Sequence, residues 1–337
     1  MVLEEPAPVT PTGPLRPRSG PAATPLPGEV LVEVSACAVC RTDLQLCEGD
    51  LPAHRLPIVP GHQVVGRVVA MGDGVDASRL GQRVGVAWLA DSCGRCRFCR
   101  RGLENLCEVA TFTGWDRDGG YAHLLTAAAH SAHPLPEDFD DLSAAPLLCG
   151  GVIGYRSLRL AGVGPASEDD RDDHRLGLFG FGSSATVVAQ VAAHWGWEVY
   201  AVTRSAAEQQ RALGLGAAWA GSYDDTPPVP FEAAITFAPV GWVVIRALEA
   251  VDRGGTVAIN AIHLDRMPEF DYGKLWHERV LRSVANVTRS DVREFLELAP
   301  LIPVRTDIEV HPLEQANEAL TRVSLGRVAG TAVLEVR

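Results

Sequence analysis

The chain has 337 residues, a net charge of −12 at pH 7 and an apolar content of 47%. This length allows about two domains, and the composition is typical of a soluble globular protein, which excludes a disordered chain. A pI near 5.3 without a long run of Lys or Arg argues against binding of nucleic acid or an anionic membrane. No apolar run approaches the ~20 residues of a spanning helix. The lack of an apolar signal run predicts a cytoplasmic location with reduced thiols.

Three candidate metal ligands lie among short alternating segments in the first half of the chain. Residues 29–34 and 66–70 are typical of half-buried strands. Cys40 opens a Cys-Arg-Thr-Asp run, His62 follows Pro-Gly, and Cys149 precedes Gly-Gly. Two cysteines and a histidine with an open fourth position are the ligand set of a catalytic zinc. Because such residues are also common in apolar cores, the residues alone leave both interpretations open.

A lobe at residues 91–110 carries four cysteines spaced as Cys-x-x-Cys-x-x-Cys-x7-Cys. They are Cys93, Cys96, Cys99 and Cys107. Because one short segment supplies all four, the spacing predicts a single tetrahedral thiolate cage. Four thiolates leave no position for water or substrate, so this zinc would be structural. Disulfide pairing in an exported chain is the alternative, which the expected reducing compartment disfavours.

Strands and helices alternate after residue 151, which predicts a parallel sheet. Residues 176–179 are typical of a buried strand, 186–195 of a helix and 198–202 of a second strand. Between the first strand and the helix lies a Gly-x-Gly-x-x-Ala turn, whose amides would face a dinucleotide pyrophosphate. The cofactor-binding residues predicted there are Gly180, Gly182, Ser183 and Ser184. The acidic run at residues 168–173 is expected to be a solvated loop.

The residues after the second strand indicate which dinucleotide is bound. An NAD enzyme usually places an Asp or Glu there, which bonds the ribose 2′-hydroxyl. This chain instead has Thr203, Arg204 and Ser205, which offer two hydroxyls and a guanidinium to a phosphate. The sequence therefore predicts NADP(H) in preference to NAD(H). The alternative is that Arg204 is only a solvated surface charge.

Taken in chain order, these motifs resemble the zinc-dependent medium-chain alcohol dehydrogenase family, and an Asp-Gly-Gly-Tyr-Ala run at residues 118–122 adds to the match. The resemblance implies an α/β protein with a GroES-like, β-rich catalytic domain formed by residues 1–150 and 289–337. It also implies a doubly wound Rossmann domain at residues 151–288. It further implies two zinc ions per chain, a nicotinamide cofactor, a small alcohol or aldehyde substrate, and a homodimer or homotetramer.

The resemblance also implies roles for individual residues. Cys40, His62 and Cys149 would hold the catalytic zinc. Asp43 would orient the ring of His62, and Thr42 would pass the alcohol proton outward. Further implied positions are Arg41, Ala238 and Ile259 at the cofactor, and Leu51, Trp88 and Trp115 in the substrate pocket.

The chain departs from the family pattern at four positions. Gln45 stands where many relatives have a proton-relay His, and Gln63 where a Glu usually follows the zinc His. Because a glutamine side chain cannot titrate, proton release and metal exchange are expected to differ. Ile153 replaces a Thr beside the nicotinamide, and Thr331 replaces a pyrophosphate-binding Arg.

The predicted function is that of a zinc-dependent alcohol dehydrogenase or aldehyde reductase acting with NADP(H) on medium-sized primary alcohols or aldehydes. Two alternatives stay open. One is reduction of an iminium or a conjugated enal on the same scaffold, which tolerates the missing relay His. The other is a non-catalytic protein that binds zinc and nucleotide.

Overall fold

The chain forms two units in the computed structural model, which describes residues 1–21, 23–166, 174–262, 264–302 and 304–337. Unit 1 consists of Met1–Cys149, Asn286–Pro300 and Arg305–Arg337, and unit 2 of Gly150–Ala285 and Leu301–Val304. The sequence predicts crossings after residues 150 and 288, whereas the chain changes unit after residues 149, 285, 300 and 304. The acidic run at residues 168–173 lies outside the described residues.

Fifteen strands and eight helices occur in the described ranges. The strands are β1 Glu29–Ala38, β2 Val64–Met71, β3 Arg83–Val86, β4 Leu89–Asp91, β5 Thr111–Phe112, β6 Leu124–Ala128, β7 Ala132–Pro134, β8 Arg175–Phe179, β9 Glu198–Val202, β10 Trp219–Gly221, β11 Phe231–Thr236, β12 Val251–Ile259, β13 Val280–Ser283, β14 Ile308–Pro312 and β15 Thr331–Glu335. The helices are α1 Arg41–Glu48, α2 Asp141–Ala144, α3 Gly150–Leu160, α4 Ser183–His194, α5 Ala206–Gly214, α6 Gly241–Ala250, α7 Arg289–Leu298 and α8 Ala316–Ser324.

Unit 1 is built on a seven-stranded sheet in the order β14-β15-β1-β2-β3-β7, with β6 also paired to β1. The strands predicted at residues 29–34 and 66–70 lie within β1 and β2, which pair antiparallel. A Cβ at Gly66 would lie 2.2 Å from the Glu33 carbonyl oxygen, so the close pairing requires glycine. Strands β4 and β5 form a separate two-stranded sheet.

Unit 2 contains a six-stranded parallel sheet in the order β10-β9-β8-β11-β12-β13. The chain starts at β8, builds outward to β10, and then returns to the other side of β8 with β11. The carboxyl ends of β8 and β11 therefore flank the topological switch point, where ligands of such sheets bind. Aromatic side chains of Phe179, Tyr200 and Phe231 form part of its apolar core.

Helix α4 begins at Ser183, three residues before the start predicted at residue 186. Gly182 has extended backbone angles and is the N-cap, so the glycine turn leads directly into the helix. No helix in the described ranges is long and apolar enough to cross a membrane.

Candidate functional site

Unit 1 brings together Cys40, His62 and Cys149, whose ligand atoms all lie within 4.8 Å of one another. Cys40 is the N-cap of α1, and Cys149 is the last residue before α3. His62 follows Gly61, which has a φ of 98°. A Cβ at Gly61 would lie 2.4 Å from the Tyr121 ring, so both the backbone angle and the space require glycine there. The Pro-Gly-His motif thus sets the position of the imidazole.

The buried carboxylate of Asp43 holds these elements in place. It accepts hydrogen bonds from the backbone N–H of Cys40 at 2.8 Å and of Gly61 at 3.2 Å. The Tyr121 hydroxyl donates to it at 3.3 Å, and Nδ1 of His62 lies 3.1 Å from its Oδ1. Because an ionised carboxylate only accepts, Nδ1 carries the hydrogen in this contact. Nε2 is therefore the nitrogen left to bind a metal.

The donor set fits zinc. Nε2 of His62 is buried and meets no hydrogen-bond partner among the residues that the structure describes, a costly arrangement without a ligand. Burial lowers the pKa of His62, but the charge and hydrogen bond of Asp43 raise it to about 10. A hydrogen bond with Cys149 holds the pKa of Cys40 well below its usual range. One imidazole nitrogen and two sulfurs, with a cation favoured beside them, match a zinc site of the catalytic type.

The residues next to the metal ligands have different surroundings. Thr42 is buried on the first turn of α1, and its backbone N–H donates to the Cys40 sulfur at 3.4 Å. Arg41 is exposed at the start of the same helix. Gln45 is half-buried one turn further along, whereas Gln63 is buried and its carbonyl accepts from the strand β1 backbone. The helix therefore exposes a guanidinium while it buries the hydroxyl beside the ligand cluster.

An aromatic cluster continues outward from His62. The ring of Trp88 lies edge-on to His62 with centroids 4.5 Å apart, and Trp115 lies 6.2 Å from Trp88. Phe112 and His54 stack against Trp115 at 5.7 and 3.9 Å. The sequence predicts Trp88 and Trp115 as pocket residues, and the structure places them in one cluster. It adds Phe112 of strand β5 and His54, which no sequence motif marks because contacts between separate segments bring them together.

Three other residues singled out from the sequence have the following surroundings. Leu51 is half-buried and packs against the apolar core of unit 1. Thr331 begins β15, and its N–H donates to the carbonyl of Asp307 at 2.9 Å. Ile153 is half-buried within α3 of unit 2.

The four lobe cysteines form a second candidate metal group, again with all ligand atoms within 4.8 Å. The sulfur of Cys99 lies 3.5 Å from that of Cys96 and 3.9 Å from that of Cys93. Zinc–sulfur bonds of about 2.3 Å in a tetrahedron give sulfur–sulfur edges of about 3.8 Å. Hydrogen bonds from the backbone of Arg95 and Cys96 lower the pKa of Cys93 to about 6, which favours a thiolate. All four cysteines are free in the structure, and their sulfur spacing fits zinc.

In unit 2, the glycine turn between β8 and α4 has the geometry expected of a pyrophosphate site. Gly180 has a φ of 92°, and a Cβ there would lie 3.3 Å from the backbone nitrogen of Ala238. Ala238 therefore lies next to the turn. Gly182 is open to a ligand, because nothing lies within 4 Å of an added Cβ. Ser183 and Ser184 occupy the first turn of α4, the helix end that favours an anion.

The residues after β9 differ from the prediction in one respect. The Thr203 side chain is buried, and its hydroxyl donates to Oε2 of Glu208 at 2.5 Å. The sequence predicts that this hydroxyl binds a phosphate, but its hydrogen is already used in the bond to Glu208. Ser205 is the N-cap of α5 and accepts from the Glu208 N–H at 3.4 Å. Arg204 is exposed.

Two buried polar groups at the carboxyl ends of β11 and β12 belong to residues that no sequence motif marks. The Thr236 hydroxyl and the Asn260 side-chain nitrogen meet no partner within the described part of the chain. The two residues are joined by a 2.9 Å bond from the Asn260 N–H to the Thr236 carbonyl. Ile259, predicted at the cofactor, is the last residue of β12 beside them. Unpaired buried groups at this edge of a parallel sheet indicate a ligand site.

Comparison with known proteins gives similarity over nearly the whole chain. Residues 26–137 match the alcohol dehydrogenase GroES-like domain. The chain is 49% identical to a probable alcohol dehydrogenase, AdhA, of Mycobacterium tuberculosis, with 96% of this chain and 93% of that protein covered. It is 33% identical to an alcohol dehydrogenase of Geobacillus stearothermophilus, with 92% of each covered. A cinnamyl alcohol dehydrogenase structure from Sorghum bicolor superimposes with a TM-score of 0.88 at 25% identity, covering 98% and 96% of the two chains.

Proposed function

Because this chain belongs to the zinc-type medium-chain alcohol dehydrogenase family, we propose that it transfers hydride between NADP(H) and a medium-sized primary alcohol or aldehyde. One observation carries the proposal: the buried Nε2 of His62 has no partner within the described ranges and faces the sulfurs of Cys40 and Cys149. These three residues would hold a zinc ion, and three protein ligands would leave a position for a substrate oxygen.

The chain's own residues orient the reactants and move the proton. A bound zinc supplies Lewis-acid polarisation of the substrate oxygen, and the nicotinamide supplies the hydride acceptor or donor. Asp43 fixes the tautomer of His62 through the Nδ1 contact at 3.1 Å. In oxidation, the hydroxyl oxygen of Thr42 takes the alcohol proton while its own hydrogen passes outward; reduction reverses this. Gln45 cannot titrate, so the proton continues to solvent through water.

The aromatic cluster supports the proposed substrate class. Trp88 places an apolar ring beside His62, and Trp115 and Phe112 continue the aromatic cluster outward, which suits an aliphatic or aromatic side chain. The indole N–H of Trp115 donates to the Pro52 carbonyl at 2.9 Å, so its polar atom is already paired. Its ring is stacked by His54 and Phe112, so Trp115 packs the cluster, and Trp88 is the aromatic ring next to His62.

The test is zinc content measured together with turnover on a panel of alcohols, aldehydes, an iminium and a conjugated enal. Two zinc ions per chain with turnover of primary alcohols and aldehydes support the proposal. Faster turnover of the iminium or enal than of any aldehyde would favour the alternative reductase. Binding of cofactor and zinc without turnover on any substrate would favour the non-catalytic alternative.

Asp43→Asn is expected to lower both zinc affinity and kcat about ten- to a hundredfold. The amide keeps the shape of the carboxylate but removes the charge that supports His62 and the other donors around it. Competition with a chelator measures the zinc affinity, and steady-state rates measure kcat. Unchanged affinity in a folded variant would show that Asp43 does not support the metal ligand.

Arg204→Ala is expected to weaken NADPH binding about ten- to a hundredfold, because a charge-assisted hydrogen bond contributes roughly 1.5–3 kcal/mol. NADH binding should change little, since its ribose hydroxyl carries no charge. The measurement is the ratio of kcat/KM with NADPH to that with NADH. A wild type that prefers NADH, or a variant whose ratio does not move, would contradict the assignment of Arg204 to the phosphate.

A further inference from the structure

The side chain of Glu208 is held beside the end of β9, where the sequence has no acidic residue. Its Oε2 accepts the hydroxyl hydrogen of Thr203 at 2.5 Å, and its backbone N–H donates to Ser205 at 3.4 Å. Gln209 also binds this turn, because its side-chain nitrogen donates to the Thr203 carbonyl at 2.7 Å. Thr203 itself is only 2% exposed. These contacts fix the first turn of α5, and with it the carboxylate, against the strand end.

Glu208 and Arg204 place opposite charges around this strand end. Both charges shift the pKa of the Tyr223 hydroxyl, and Tyr223 follows the neighbouring strand β10. Burial raises the pKa of Tyr223, the charge of Glu208 raises it further, and the charge of Arg204 lowers it. The two charges therefore lie within electrostatic reach of one group at the carboxyl edge of the sheet. A ligand phosphate held there would meet both.

We propose that Glu208 discriminates between the two nicotinamide cofactors by repelling the 2′-phosphate of NADP(H), in opposition to the attraction of Arg204. The proposal rests on the proposed function, which places a dinucleotide at this edge. A fixed carboxylate and a phosphate dianion repel each other, whereas a neutral ribose hydroxyl finds an acceptor in a carboxylate. The acidic discriminator of this chain thus lies on the first turn of α5 instead of at the strand end. The preference for NADP(H) is smaller than Arg204 alone would give.

The variant Glu208→Gln tests the proposal, because the amide oxygen can still accept the Thr203 hydrogen and keep the turn in place. The probes are adenosine 2′,5′-bisphosphate and 5′-AMP, whose binding to the zinc-loaded protein is measured by calorimetry without turnover. The variant should bind the bisphosphate roughly three- to tenfold more tightly, as expected for removal of one nearby like charge. Binding of 5′-AMP should change less than about twofold. The gain should shrink as salt is raised, because screening weakens the repulsion.

Asp252→Asn is the matched control. Asp252 is exposed near the amino end of β12, at the opposite edge of the sheet, so the control removes the same charge away from the site. It should leave the ratio of the two affinities unchanged. If the ratio of the two affinities does not change in Glu208→Gln, or changes equally in the control, the role of Glu208 is refuted while the proposed function still stands. If wild type binds neither probe, the proposed function falls together with this proposal.

Discussion

Replacement of His62 by alanine is expected to lower turnover by at least about a thousandfold while dinucleotide binding stays measurable. The imidazole offers its buried Nε2 toward two sulfurs, and no other described residue contacts that nitrogen by a hydrogen bond. Without it, two thiols remain, which are too few to hold zinc with the substrate position defined. The glycine turn and the first turn of α4 belong to unit 2, so they do not depend on this ligand.

Cys40→Ser is the second variant, since a hydroxyl still caps α1 but is a poor zinc ligand. Cys47→Ala is the control, because Cys47 is a buried cysteine of the same helix outside both metal groups. Zinc content should fall from two ions to one in the two ligand variants and stay at two in the control. Near wild-type alcohol oxidation by His62→Ala, with one zinc confirmed lost, would refute a catalytic zinc at this position.

The sequence predicts the fold class because its strongest signals are local. The Gly-x-Gly turn, the strand at residues 198–202 and the four closely spaced cysteines each fit within one short segment, where spacing dictates geometry. The α/β class with GroES-like and Rossmann parts is confirmed by the family match and by the six-stranded parallel sheet. The sequence predicts the start of α4 three residues late, because the serines after Gly182 are weak helix formers that still fit the first turn.

The parts of the site that the sequence could not reveal all depend on contacts between segments. His54 meets Trp115 only because two loops pack against each other, more than sixty positions apart in the chain. Thr203 and Glu208 are close in the sequence, but their hydrogen bond forms only because α5 starts at Ala206. That start turns the Glu208 carboxylate back to the end of β9. A hydroxyl in a sequence motif is a free donor only when its hydrogen has no partner within the folded chain, and the motif alone does not show this.

Cys99→Ser is expected to lower the stability of the protein while it changes kcat little. Cys99 contributes one corner of the thiolate cage, with its sulfur 3.5 Å from Cys96 and 3.9 Å from Cys93. A closed structural site couples metal binding to folding of the loop that supplies its ligands, so losing one thiolate should release this zinc and loosen the lobe. We expect the Tm to fall by roughly 5–15 °C. Calorimetry and metal analysis of the purified variant measure the two effects.

Loss of the lobe zinc can be told apart from loss of the catalytic zinc, because the two groups of metal ligands share no residue. Residual folded Cys99→Ser protein should keep the zinc at His62 and a kcat within about threefold of wild type, because no lobe thiol is among those ligands. Glu108→Gln serves as the control, since Glu108 is exposed in the same lobe and adjoins Cys107 without offering a sulfur. It should retain two zinc ions and an unchanged Tm. If Cys99→Ser also retains both ions and its Tm, the lobe does not hold a structural zinc. If kcat instead falls about a thousandfold at an unchanged Tm, the lobe metal takes part in chemistry and the closed-cage assignment is wrong.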